Sequence, residues 1–199
     1  MAQGDRVVLL RHGETEWSRT GRHTGRSDID LTDHGVDEAR AAGPALAAHR
    51  FALVLVSPLQ RARRTAELAG FTDMTVDDDL LEWDYGEIEG RTTAELRETT
   101  PGWTIWDGPP PGGESIEQVG ERVDRVIERV LAVDGDVLCV AHGHVSRTLT
   151  ARWAGLPAGD ARRFLMGTAA INVLGWEREA RAIERSNDQR HLEGIDVVT

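Results

Sequence analysis

Three apolar runs in this chain each end in residues able to do polar chemistry. In "VVLLRHGETEWS", residues 7–18, four aliphatic side chains run straight into Arg11, His12, Gly13 and Glu14. The run "FALVLV", 51–56, leads to Ser57-Pro58 and on to Arg61, and "DVLCVA", 136–141, leads to His142-Gly143-His144. A fourth stretch, "MTVDDDLLEWDYGE", leads to Glu82. Gathered on one rim, these ends supply two histidines, two arginines and a carboxylate.

That set suits phosphoryl transfer. A phosphate spreads its charge over peripheral oxygens and needs cations before and during transfer. Arg11 and Arg61 can each present a bidentate fork to one edge of the group. A neutral imidazole at His12 can attack phosphorus in line and form a phosphohistidine. An alkoxide leaves poorly unless an acid meets it, and Glu82 is the candidate. His142 can donate to the equatorial oxygens.

The same residues have blander readings. Strand-end histidines are often hydrogen-bonded structural groups, and Arg61, Arg63 and Arg64 alone would be a solvated helix face. His12, His142 and His144 have the composition of a metal site, but Arg11 and Arg61 beside them would repel a dication. No metal or other cofactor is expected. Ser57 lacks a Gly-x-Ser-x-Gly elbow and is followed by proline, which suits a helix cap. The glycines of "GPPPGGES" follow no strand, so they form no phosphate-binding loop.

The elements that must position these groups alternate in type. The runs 6–10, 51–56 and 136–141 read as buried strands, and 171–176 with 181–186 as a hairpin at a sheet edge. Thr32 caps a helix expected to reach about Arg50, with Asp33 in its first turn. Ser57-Pro58 opens a helix over "PLQRARRTAELA". Ser115 and Gln118 form a capping box before an apolar stripe from Ile116 to Val130. Strand–helix alternation predicts an α/β fold, a three-layer α/β/α sandwich around a central, mostly parallel sheet. In such sheets ligands bind beyond the carboxyl ends of the strands, where these residues collect. The chain reads as a single domain, 1–199, with an insertion around 91–115 that carries one short helix and covers the site.

Composition sets the boundaries. The 199 residues are 40% hydrophobic and 29% charged, an ordinary globular mixture. A net charge of −11 attracts neither nucleic acid nor an anionic membrane. One cysteine, Cys139, excludes an internal disulfide, and "MAQGDRVVLLRHG", with no basic n-region and a short apolar run, is not expected to act as a signal peptide. The expectation is a cytoplasmic protein acting on a small phosphorylated metabolite, as a monomer or homodimer.

At these residues the chain resembles the histidine phosphatase superfamily, also called the phosphoglycerate mutase-like family, over nearly its whole length. "LLRHGETEWS" is similar to the family signature and implies His12 as the phosphorylated residue. "SPLQRARRTAE" implies Arg61 as phosphate ligand, "LLEWDYGEIEG" implies Glu82 as proton donor, and "CVAHGHVSR" implies His142 as the second catalytic histidine. Ser18, where the family often has asparagine, joins Thr24, Gly25, Tyr85 and Gly143 as candidate substrate contacts. Trp17, Trp83, Trp103 and Trp106 would line the pocket with Tyr85. The resemblance implies the family's α/β/α fold.

The family holds phosphatases and mutases. "RHTGRSDIDLT" is similar to a mutase segment, yet Trp83-Asp84 follow Glu82, Thr93 stands in place of a lysine, and the insertion lacks paired arginines. No second anionic cradle is visible, as a bisphosphate intermediate would need. "EWDYGEIEG" and "HGHVSR" resemble the acid phosphatase and sugar-phosphatase branch. The expected activity is phosphate monoester hydrolysis, with a cofactor-dependent phosphoglycerate mutase as the alternative.

Overall fold

The computed structural model describes residues 5–195; residues 1–4 and 196–199 of the expected domain lie outside the described residues. Its elements in chain order are β1 (Val7–Arg11), α1 (Glu16–Arg19), α2 (Asp33–Leu46), β2 (Phe51–Val56), α3 (Gln60–Leu68), β3 (Thr75–Val76) and α4 (Thr93–Thr99). They continue with α5 (Ile116–Leu131), β4 (Asp136–Ala141), α6 (Gly143–Trp153), β5 (Ile171–Glu177) and β6 (Ala180–Asp188). The six strands form one sheet in the order β3-β2-β4-β1-β5-β6. β1, β2, β3 and β4 pair in parallel, while β5 and β6 add an antiparallel edge hairpin.

Because side chains alternate across a strand, each central strand feeds two cores. Val7, Leu9, Val137 and Cys139 pack with Val123, Val126, Val145 and Leu149 of α5 and α6. Val8, Leu10, Leu138 and Val140 pack on the other face with Ala42, Leu46, Ala62 and Ala66 of α2 and α3. The result is the expected α/β/α sandwich. Strands buried on both faces cannot show polar alternation, which is why they read as unbroken apolar runs.

Two caps form as expected. The Thr32 hydroxyl accepts from Gly35 N–H, and Ser115 with Gln118 makes the reciprocal capping box of α5. α2 stops at Leu46 rather than near Arg50, its end tightening onto Pro44 O. α3 starts later than expected, at Gln60, and Ser57 does not cap it. Its first amide donates instead to Asp28 Oδ1 at 2.8 Å, and the Ser57 hydroxyl is committed to His142. A cap brought from 32 residues away cannot be seen in a local window.

The turn after β1 is pinned backbone to backbone against α2. A Cβ on Gly13 would stand 2.3 Å from Gly35 O, and one on Gly35 would stand 2.1 Å from Glu14 O. Gly35→Ala therefore forces the His12 turn and α2 apart. It is expected to cost on the order of 2 kcal/mol, measured by denaturant unfolding, and to lower activity with it.

Candidate active site

A cavity of about 250 Å³ opens at the carboxyl ends of β1 and β4, where His12, Arg11, Glu82 and Gly143 meet. His12 is 4% exposed. Its Nδ1 lies 2.7 Å from Gly13 O. A carbonyl only accepts, so Nδ1 carries the proton and Nε2 keeps its lone pair. Burial, then Arg61 and Arg11, push the His12 pKa well below the ordinary imidazole value. The ring is a neutral nucleophile.

Behind it lies a closed relay. The His142 ring stands 5.2 Å from that of His12, centroid to centroid. Arg61 Nε–H donates to His142 Nδ1 at 3.1 Å, so His142 Nε2–H donates to Ser57 Oγ at 2.7 Å. Both ring nitrogens are thereby used, and His142 is fully buried outside the cavity wall. Burial and the Arg61 charge push its pKa well down. Arg61 is also fully buried, and three of its four Nη hydrogens go to Ser27 O, Thr24 O and Gly25 O. Arg61, His142 and Ser57 thus form a connected, buried layer beside His12.

The groups facing the cavity are Arg11 and the start of α6. Arg11 NH1 donates to Met166 O at 2.6 Å, while its buried Nε–H has no partner among the described residues. A buried guanidinium donor left unpaired is a cost that an anion would remove. A Cβ on Gly143 would stand in ordinary contact with the Arg11 guanidinium, at 3.5 Å.

Glu82, 4% exposed, faces them. Its Oε1 accepts from Trp83 and Val145 N–H and its Oε2 from His144 N–H, each at 2.9 Å, so the first turn of α6 holds the carboxyl. The segment carrying Glu82 is held by Arg122 of α5. Arg122, 5% exposed, donates to Asp79 O, Leu81 O and Glu82 O and pairs with Glu114. Nothing in the local sequence singles Arg122 out; within α5 it resembles any surface arginine. Arg122→Met leaves three carbonyls without their donor and half-buried Glu114 with only the longer ion-pair contact to Arg26. We expect about 3 kcal/mol lost in thermal or denaturant unfolding, and kcat reduced by misplacement of Glu82.

The candidate substrate contacts divide. Ser18, Thr24, Tyr85 and Gly143 line the cavity. The Ser18 hydroxyl, however, donates to Thr15 O and accepts from Thr15 N–H, serving the capping box of α1. Gly25 lies outside the wall; a Cβ there would meet Trp83 O at 2.6 Å, so glycine permits a close chain crossing. Of the proposed aromatic wall only Tyr85 faces the cavity. Trp83 is fully buried, and Trp103 and Trp106 buttress His23 and His144 at 5.4 and 5.1 Å. The wall is instead polar, adding Arg22, His23, His144, Arg147 and Thr93, the last at the start of α4. His144 is visible in the His-x-His pair; His23, Arg22 and Arg147 carry no signal beyond their neighbourhood to the motifs.

The model of the histidine phosphatase superfamily, branch 1, matches residues 7–189. This chain belongs to that superfamily. It is 44% identical over 182 residues to an acid phosphatase of Mycobacterium tuberculosis, covering 89% of this chain and 90% of that protein. It is also 32% identical to a probable phosphoglycerate mutase of Salmonella choleraesuis, covering 94% of each. The solved structure of a Mycobacterium tuberculosis open reading frame product superposes with a TM-score of 0.90 at 42% identity, covering 93% of this chain and 98% of that one. Among the described residues of this histidine phosphatase, no three His, Cys, Asp or Glu side chains converge as metal ligands, and no helix is long and apolar enough to cross a membrane.

Three buried imidazoles give the fold a pH signature. Burial lowers the pKa values of His12, His142 and His144 well below that of a free ring. Below about pH 6.5 the unfolded chain therefore binds protons that the folded chain refuses. Stability is expected to fall on acidification through that range, by up to about 1.4 kcal/mol per pH unit for each ring. Urea unfolding at pH 7.5, 6.0 and 5.0 measures it; a flat profile contradicts the neutral-ring assignment.

Proposed function

We propose that this histidine phosphatase hydrolyses small phosphate monoesters through a phosphohistidine on His12. The observation that carries the reading is the His12 Nδ1–H bond to Gly13 O, which leaves Nε2 unprotonated beside the unpaired donor of Arg11. Arg11 and the Gly143 N–H at the start of α6 bind the phosphoryl oxygens, the next two amides being held by Glu82. The Nε2 lone pair attacks phosphorus; the P–N bond forms, the P–O ester bond breaks, and Glu82 gives its proton to the departing alkoxide. Water then attacks the phosphohistidine, the Glu82 carboxylate takes the water proton, and orthophosphate leaves with His12 neutral again. Arg61, His142 and Ser57 hold the His12 side of the site in place and supply positive potential.

The chemistry needs no metal or cofactor, and we assign it to the cytoplasm, as a monomer or homodimer, where buried Cys139 stays reduced. Phosphate release from a panel of sugar phosphates, glycolytic acids and nucleotides tests this, and EDTA is expected to leave the rates unchanged. Activity lost to chelator and restored by zinc overturns it. One observation favours the mutase reading: Arg22 and Arg147 add positive charge to the cavity wall. Their donors, however, are partly spent on Gly90 O, Ala161 O and Arg162 O. With 3-phosphoglycerate and bisphosphoglycerate supplied, orthophosphate release is expected to exceed isomerisation at least tenfold; the reverse order makes the chain a mutase.

A further inference from the structure

We propose that His23 and His144 form a pair of opposite hydrogen-bonding polarity that selects phosphate esters of polyols, an inference that rests on the phosphatase reading above. Both rings line the cavity, and the Tyr85 ring lies between them, 5.1 Å from His23 and 5.8 Å from His144, edge-on to each. Their tautomers follow from their fixed partners. His23 Nδ1 lies 2.7 Å from Arg91 O, which can only accept, so His23 Nδ1 is protonated and its Nε2 is an acceptor. His144 Nδ1 lies 2.5 Å from the Tyr85 hydroxyl, which has no other partner among the described residues. The buried phenol donates its proton there, so His144 Nδ1 accepts and its Nε2–H is a donor.

Burial lowers the pKa values of both imidazoles and raises that of Tyr85 well above the usual phenol value, so neither polarity is lost near neutrality. The rings are also braced. His23 packs edge-on against Trp103, and His144 against Trp83 and Trp106. His12 Nε2, the third imidazole in the cavity, is spent on phosphorus. His23 Nε2 and His144 Nε2 have no protein partner among the described residues, one asking for a donor and the other for an acceptor. Hydroxyl groups on the alcohol portion meet both demands, and an aliphatic chain meets neither. A cavity that hydrogen-bonds a substrate hydroxyl discriminates strongly against the analogue lacking it, because its own polar groups are then left unpaired.

The test compares glycerol 1-phosphate with propyl phosphate, two alkyl monoesters that differ only in hydroxyls. Wild-type kcat/KM is expected to favour the glycerol ester at least tenfold. His144→Leu is expected to reduce that preference at least fivefold. His144→Gln, whose amide nitrogen can stand near the position of the imidazole Nε2–H, is expected to retain most of it. Nitrogen-15 NMR of the wild-type enzyme is expected to show His23 Nε2 unprotonated and His144 Nε2 protonated at pH 7.5. Equal rates on the two esters, or a preference that survives His144→Leu, overturns the pair while leaving the phosphatase standing. The opposite tautomers overturn it as well. If neither ester is hydrolysed, the phosphatase reading itself fails and the pair with it.

Discussion

His12→Ala is expected to lower kcat by on the order of 10⁴-fold or more, on every phosphate ester the enzyme accepts. The size follows from the absence of a substitute. His142 is the next imidazole, with its centroid 5.2 Å away, but both its nitrogens are bound, to Arg61 and Ser57, and it lies outside the cavity. Ser57 accepts from that same ring and has no free base behind it. Water attacking directly would lose the gain of a positioned nucleophile. Arg11 and the start of α6 remain in the variant, so orthophosphate is expected to bind within a few-fold of wild type by calorimetry. Loss of turnover with binding kept separates a missing nucleophile from a collapsed site. His12→Gln, closer in volume, serves as a second variant in case alanine leaves a destabilising void.

Glu82→Gln is expected to cost between about 10² and 10³ in kcat on alkyl phosphates and less than about tenfold on p-nitrophenyl phosphate. A nitrophenolate departs without a proton; an alkoxide does not. Such leaving-group dependence would not arise from a misplaced loop, which slows both substrates alike. The variant has a structural cost as well. Oε1 accepts from the Trp83 and Val145 amides and Oε2 from that of His144, so an amide nitrogen turns two hydrogen bonds at the first position, or one at the second, into donor–donor conflicts. About 2 kcal/mol of stability is expected to go with it, and rates are to be compared below the melting range.

Much of the fold and of the site is legible in the order of the amino acids. The strands 7–11, 51–56 and 136–141 announce themselves because burial on both faces admits only apolar side chains. The carboxyl ends of the first and last place Arg11, His12 and Gly143 in one cavity, as the parallel topology demands, and Glu82, on the segment after β3, joins them there. What is not legible depends on long-range pairing. Ser57-Pro58 has the form of a cap, yet its hydroxyl answers a histidine 85 residues on, and Asp28 takes over the capping. Arg61 has the chemistry of a phosphate fork, and carbonyls at 24, 25 and 27, which no local window reveals, orient it through three of its four Nη hydrogens. The tryptophans have the chemistry of a pocket wall, yet they stand behind the imidazoles that form it. Residue type supplies the chemistry; only packing decides which atoms remain free for it.

The most direct test is to mix enzyme with a phosphorus-32-labelled monoester, quench in alkali within one turnover, and map the label by peptide. Label on His12, stable to alkali and lost in acid, and gone when excess unlabelled ester is added before the quench, is the expected result. Label on Ser57 or His142, or turnover with no labelled protein at any quench time, contradicts it.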